Sequence, residues 1–237
     1  MRVEIGVREA AERLGVDDSR VRQMLRAGRL VGRHVSGRWL VDDVDLARLR
    51  AHSAPVSRPM APTRAWGLLD LLDGGSPQWL TPSARSQVRA LLRTLPAPTV
   101  APVRWRSLLA ARATVPQVAA HPAAVQRLLL APGVVPAGVS AAIAAGADLV
   151  SVGAVPELYV AEHEWADLVE HLRLNPSSAD AAVLVRVPRQ LWPFPGGERP
   201  GRSALAADLL DSVNPRAISA GAQLLAAGVA RFVAAGD

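Results

Sequence analysis

Between Asp18 and Arg26 the chain reads DSRVRQMLR, a run of residue types suited to recognition rather than to bond-making. A guanidinium can donate twice to the guanine edge, and a carboxamide can donate to and accept from adenine. At about 100° per residue, Ser19, Arg22, Gln23 and Arg26 share one side of a helix, with Arg20 at its edge. Val21, Met24 and Leu25 take the other side at i, i+3, i+4 spacing. Downstream, Arg33 and Arg38 flank Ser36-Gly37, where phosphate or minor-groove contact suits them better than base reading.

Such side chains need elements that hold them. A short helix is expected first, with Val7, Ala10, Ala11 and Leu14 on one face. Gly15 stands where a helix favours a left-handed cap, and Asp17-Asp18 gives the next helix an acidic start. Gly28 ends that second helix. Leu30 to Val35 and Arg38 to Val41 read as two strands around a glycine turn, a wing beside the second helix. A third helix, Val44 to Arg50, is expected with Asp42 or Asp43 as its cap. The core of this unit is read as Val7, Ala10, Ala11, Leu14, Val21, Met24, Leu25, Leu30, Trp39, Leu40, Val44, Leu46 and Leu49. Trp39 should turn inward and supply much of the buried area. Two short helices, a tight turn and a wing form the layout of a winged helix–turn–helix that reads double-stranded DNA.

Charge supports a polyanionic partner. The 27 basic side chains are all Arg, and the net charge is +6. Residues 1–64 hold 13 Arg against 8 acidic residues, whereas the remainder holds 14 against 13, so the excess lies with the helix–turn–helix. The chain has no cysteine, which removes disulfides and thiolate metal sites. The N-terminus has no signal-type apolar core, and Gly133 to Val152 is broken by Pro136, Gly138, Gly146 and Asp148, a poor membrane span. A cytoplasmic protein is expected.

Farther along, His52 to Thr63 holds Pro55, Pro59 and Pro62 and reads as an extended linker. Helices are expected over Trp66–Leu72, from Pro82 to about Leu95, Trp105–Arg112, Pro122–Leu130, Gly138–Ala145, Glu164–Leu172, Ser203–Leu210 and from Pro215 to about Val233. Strands are expected over Pro132–Val135, Leu149–Val152, Glu157–Val160 and Val183–Val187. Helix and strand alternate without long βαβ units, so the class is α+β. The layout is a winged helix–turn–helix over 1–51, a Pro-rich linker over 52–64 and a larger mixed α/β domain over 65–237.

Catalysis is not expected. No G-x-S-x-G elbow and no Lys for a restriction-type nuclease centre is present. Glu162, His163, Glu164, Glu170 and His171 cluster in EHEWADLVEH, but the two histidines are eight apart, unlike an H-E-x-x-H zinc helix. Gly196-Gly197 lies in a Pro-rich loop with no strand before it, a turn rather than a phosphate cradle. No cofactor, metal or catalytic residue is assigned.

The segment Val7–Leu49 resembles the winged helix–turn–helix of the excisionase and MerR-like group, through Ala10, Ala11, Leu14, Gly15, Val16, Val21, Arg22, Gly28, Leu30, Gly37, Arg38 and Trp39. One departure is Asp17-Asp18, where that group carries small hydroxyl residues. A carboxylate caps a helix but repels phosphate, which moves the expected phosphate contacts to the Arg side chains and the wing. The remainder resembles the AbiEi-type antitoxins of type IV toxin–antitoxin systems, in RPMAPTRAWGLLDLL (58–72), GVSAAIAAGADLV (138–150), ELYV (157–160), VLVRV (183–187) and ALAADLLDSVNPRAISAGAQLL (204–225). That resemblance implies an autorepressing transcriptional regulator bound to an inverted-repeat operator. It also implies a nucleotidyltransferase-type toxin as partner. A regulator or excision factor with no toxin fits the front segment equally. An enzyme tethered to DNA is disfavoured by the absent motifs.

Overall fold

The computed structural model describes residues 4–14, 16–26, 30–35, 37–51, 58–95, 100–150, 155–176, 181–197 and 199–236. The chain divides into two compact units, Met1–Ser53 and Ala54–Asp237. Helices and antiparallel-rich sheets make both, an α+β protein.

The first unit begins with strand β1 (Glu4–Gly6), followed by α1 (Val7–Leu14) and α2 (Asp18–Arg26). The hairpin β2 (Gly32–Val35) and β3 (Arg38–Asp42) comes next, then α3 (Asp43–Ala51). The sheet order is β1-β3-β2, antiparallel throughout. The sequence pattern misses β1, because three residues carry no usable period. Val16 donates to the Ala11 carbonyl at 3.1 Å, the bond that closes a helix in a Schellman motif; Gly15, Gly28 and Ser36 themselves lie outside the described residues. In the wing turn Gly37 takes φ +80°, which a side chain would resist.

Ile5, Ala10, Ala11, Val21, Met24, Leu25, Leu30, Val41 and Leu46 form the core of this unit. Trp39 packs inward against this core as expected, though not fully buried, and two further expectations, Leu40 and Val44, fail for reasons of face. Trp39 is only half-buried: it shares the inner sheet face with Val41 but stands two residues nearer the hairpin tip, tilted against His34 at 5.2 Å. Leu40 is half-buried because strand alternation puts it on the opposite face. Val44 is 43% exposed, since α3 turns Asp45, Leu46 and Leu49 inward instead. Ile5 and Val41 supply what those residues do not.

In the second unit, α4 (Pro62–Leu72), α5 (Pro82–Thr94) and α6 (Pro102–Leu109) lead into the short strands β4 (Ala113–Thr114) and β5 (Gln117–Val118). Then follow α7 (Pro122–Leu129), β6 (Val135–Pro136), α8 (Gly138–Ala144), β7 (Glu157–Tyr159), α9 (Glu162–Leu172), β8 (Val183–Pro188), α10 (Arg202–Leu210) and α11 (Pro215–Ala234). Pro62, Pro102 and Pro122 open helices exactly as a missing N–H and a fixed φ permit. The stretch read as linker therefore gives way to helix at Pro62; residues 52–57 lie outside the described ones. The helix expected to end at Arg112 runs from Pro102 to Leu109 instead. Leu149–Val150 is not strand: Leu149 turns back through a bond to the Ala147 carbonyl and packs on the α8–α10 cluster. Positions 151 and 152 lie outside the described residues.

The central strand is β8. It pairs antiparallel with β4 and β5, and parallel with β7, which in turn pairs antiparallel with β6. The connection β7–α9–β8 is thus a parallel crossover, where alternation without long βαβ units is expected from the sequence. Val118, Leu128, Leu158, Val160, Val183, Val185 and Val187 form the core on this sheet. A second core joins α4, α5, α6, α10 and α11 around Trp66, Trp105, Tyr159 and Phe194. From Ser203 to Leu210 every residue of α10 is buried, as suits a helix apolar on all sides but for Ser203 and Asp208, whose side chains are both hydrogen-bonded. At Gly221 a Cβ would stand 2.5 Å from the Ala206 carbonyl oxygen, so glycine lets α11 cross α10 closely. Among the described helices, α11 has the length and apolarity to cross a bilayer; here Ala217, Gly221, Leu225, Val229 and Phe232 are buried.

Beyond the end of α4, Asp73 accepts from the Ser203 amide (3.1 Å) and hydroxyl (2.8 Å), fastening the start of α10. Asp70 has no such support: its Oδ2 is buried without a partner. Burial lifts the Asp70 carboxyl above its ordinary range, and neighbouring Asp73 adds to the rise. A carboxyl so raised destabilises the fold once it ionises, and does nothing when it is protonated in folded and unfolded chains alike. Asp70→Asn will therefore raise the melting temperature at pH 7, and the gain will vanish below about pH 4 in a thermal titration.

Candidate nucleic-acid interface

Helix α2 is built from its first turn. Asp17 caps it: the carboxylate accepts from the Arg20 amide at 2.8 Å and from the Ser19 hydroxyl. These bonds, that from Ser19 foremost, hold the Asp17 carboxyl below its usual range. The helix end is thereby occupied by the protein's own anion. Ser19 is folded onto that cap rather than presented alone. Removing the cap by Asp17→Ala should destabilise the first unit, read as a lower midpoint in urea.

Along the helix, Val21, Met24 and Leu25 are buried, while Ser19, Arg20, Arg22 and Gln23 are exposed on the other side. This is the division the 3.6-residue period predicts. Arg20 donates from Nη1 to Gln23 Oε1 at 2.5 Å. Arg22 lies a loose 3.4 Å from Asp18, both side chains nearly half exposed. An exposed pair of that kind is worth about 0–1 kcal/mol and yields easily to a stronger acceptor. Arg26 closes α2; its side chain lies outside the described residues.

The wing sits beside α2 because of Gly32. A Cβ there would fall 2.4 Å from the Leu40 carbonyl oxygen and 2.6 Å from Leu25 Cδ2, so only glycine lets β2 lie this close to the helix. Asp45, 7% exposed, accepts from the Val31 amide at 2.7 Å and pins the base of the wing to α3. Its own amide donates to Asp42 Oδ1 at 2.9 Å, which makes Asp42 the cap of α3. Arg13 joins α1 to α3 through Asp43 at 2.5 Å.

Register decides where the wing arginines point. Arg33 pairs with Leu40 and Arg38 with Val35, so both lie on the sheet face opposite the buried Val41. Arg38 is exposed and makes no ion pair among the described residues. Arg33 is already engaged: its Nε and Nη2 donate to the two oxygens of Glu4 at 2.6 and 2.7 Å. The hydrogen bond from Arg33 holds the Glu4 carboxyl below its ordinary range. The sequence pattern places Arg33 correctly but misses Glu4, which stands on a strand too short to predict.

Elsewhere, His163 and His171 are exposed on α9, with His171 Nδ1 2.8 Å from the Asp167 carbonyl oxygen. Among the described residues no group of three or more His, Asp or Glu is placed to hold a metal ion. The sequence pattern also misses a buried charge network in the second unit. Tyr159 donates to Asp208 at 2.5 Å, and the Gly138 amide donates to the same carboxylate at 3.1 Å. Arg112 reaches Asp208 at 3.2 Å and Asp211 at 2.5 Å. Arg186 reaches Asp211 at 2.7 Å and Glu157 at 2.6 Å. These bonds join sheet to helices; Arg112 also donates from Nη1 to the Leu109 carbonyl at 3.2 Å, and its Nε is buried without a partner. No family model, curated protein or solved structure matches the chain.

Proposed function

We propose that the chain is a sequence-specific DNA-binding transcriptional regulator, and more narrowly an autorepressing antitoxin that opposes a nucleotidyltransferase-type toxin. One observation carries the DNA reading. Helix α2 closes its apolar side into a core and leaves Arg20, Arg22 and Gln23 exposed beside a wing that bears Arg38. Phosphate contacts would fix the register of the protein on the duplex, and Arg22, Gln23 and Arg26 would read base edges in the major groove. No catalytic role is proposed for either unit.

The antitoxin role rests on the resemblance of segments in the second unit, and a neighbouring nucleotidyltransferase reading frame would support it. A cytoplasmic location follows from the same reading. Duplex DNA taken from upstream of the protein's own reading frame is the test ligand. Affinity should fall steeply with salt, the logarithmic slope being about −0.9 for each phosphate neutralised. Absence of salt-dependent binding would refute the DNA reading.

A further inference from the structure

We propose that Glu4 is a carboxylate latch on the wing: it occupies Arg33 in the free protein, and a DNA phosphate must displace it. This inference rests on the DNA-binding reading above. Although β3 lies between β1 and β2, Glu4 and Arg33 meet across it. Glu4 stands opposite Asp42 and Arg33 opposite Leu40, two β3 residues that share a face. The pairing at 2.6 and 2.7 Å uses both carboxylate oxygens, the fork geometry that a guanidinium also offers to phosphate. Glu4 therefore holds the place that a phosphate would take.

The pair is exchangeable. The Arg33 side chain is 65% exposed and that of Glu4 28%, so water screens their attraction. On the same face Arg38 is a diagonal neighbour of Arg33, a relation that spans about 7–8 Å between strands. Without Glu4 that face would present two unengaged guanidinium groups; with it, the face presents Arg38. The wing's grip on the backbone is thus set by a residue at the start of the chain, outside the helix–turn–helix itself.

The test is a double-mutant cycle in the full chain on a mixed-sequence duplex about three helical turns long. Such DNA is bound through phosphates alone, which isolates the term in question. Glu4→Gln should tighten binding, by up to about fivefold, the limit for an exposed ion pair, and steepen the salt slope by about 0.9. In an Arg33→Gln background the same change should have no effect. An equal gain in both backgrounds would mean that Glu4 acts only as a nearby negative charge, and would overturn the latch. No change on Glu4→Gln overturns it as well. If the wild-type chain shows no salt-dependent binding, the DNA reading itself fails. If the wild type binds and the cycle shows no coupling, only the latch fails.

Discussion

Asp208→Ala is expected to cost the second unit about 3–5 kcal/mol, a large share of the roughly 5–15 kcal/mol that stabilises a typical domain. The carboxylate is fully buried and accepts from Tyr159 Oη and the Gly138 amide, with Arg112 and Arg186 at 3.2 and 3.4 Å. Alanine leaves all four donors in a site that water cannot reach. Charge is also involved, because two guanidinium groups face three carboxylates, Asp208, Asp211 and Glu157. Asp208→Asn keeps one acceptor and leaves two cations against two anions. It should cost only the bond from Gly138, about 1–3 kcal/mol. Chemical unfolding of the three proteins separates the alternatives: equal losses for Asn and Ala would mean that charge, not hydrogen bonding, holds the joint. The network also sets an alkaline limit. Burial, then the neighbouring Asp208, push the Tyr159 hydroxyl well above its ordinary range. An acid raised on folding adds stability that is present below its unfolded value, near pH 10, and is lost above it. Tyr159→Phe should flatten that alkaline loss.

The second large effect concerns DNA. Joint Arg22→Ala and Arg26→Ala substitution should weaken binding to the upstream duplex by about 1–3 kcal/mol for each arginine that reads a base. Where an arginine instead meets phosphate, its loss lowers the salt slope by about one. The two roles are separable in one experiment: a base reader loses discrimination between the upstream duplex and a scrambled one, whereas a phosphate contact weakens both alike. Arg22 is exposed and takes no part in the core formed by Val21, Met24 and Leu25, so Arg22→Ala alone should leave the melting temperature nearly constant. Unchanged affinity and slope would remove α2 from the interface.

Periodicity explains why the front unit is legible in sequence. A nine-residue helix with three apolar residues on one side announces both its core and its exposed polar face. The hairpin around Gly37 carries a local turn signal. What stays hidden is either too short or too distant. Strands of two or three residues, β1, β4 and β5 among them, offer no period to read. The parallel pairing of β7 with β8 is settled by packing of α9 rather than by any local preference. Arg112 and Asp208 are 96 positions apart, and nothing near either names its partner. One signal was available: Arg186 interrupts the apolar run VLVRV, and a charge inside a buried strand requires a counter-charge.

That separation has a consequence for synthesis. The first unit has every strand and helix of its own core by Ala51. The second completes its core only late in the chain. Strands β4 and β5 have no edge to join until β8 is made, and Arg112 has no carboxylate until Asp208 and Asp211 follow. At about 5–20 residues per second, Arg112 waits roughly 5–20 s for its counter-ion. During that interval a complete first unit would precede an unfinished second unit, the window in which a chaperone or a partner protein would have most influence on the fate of the chain.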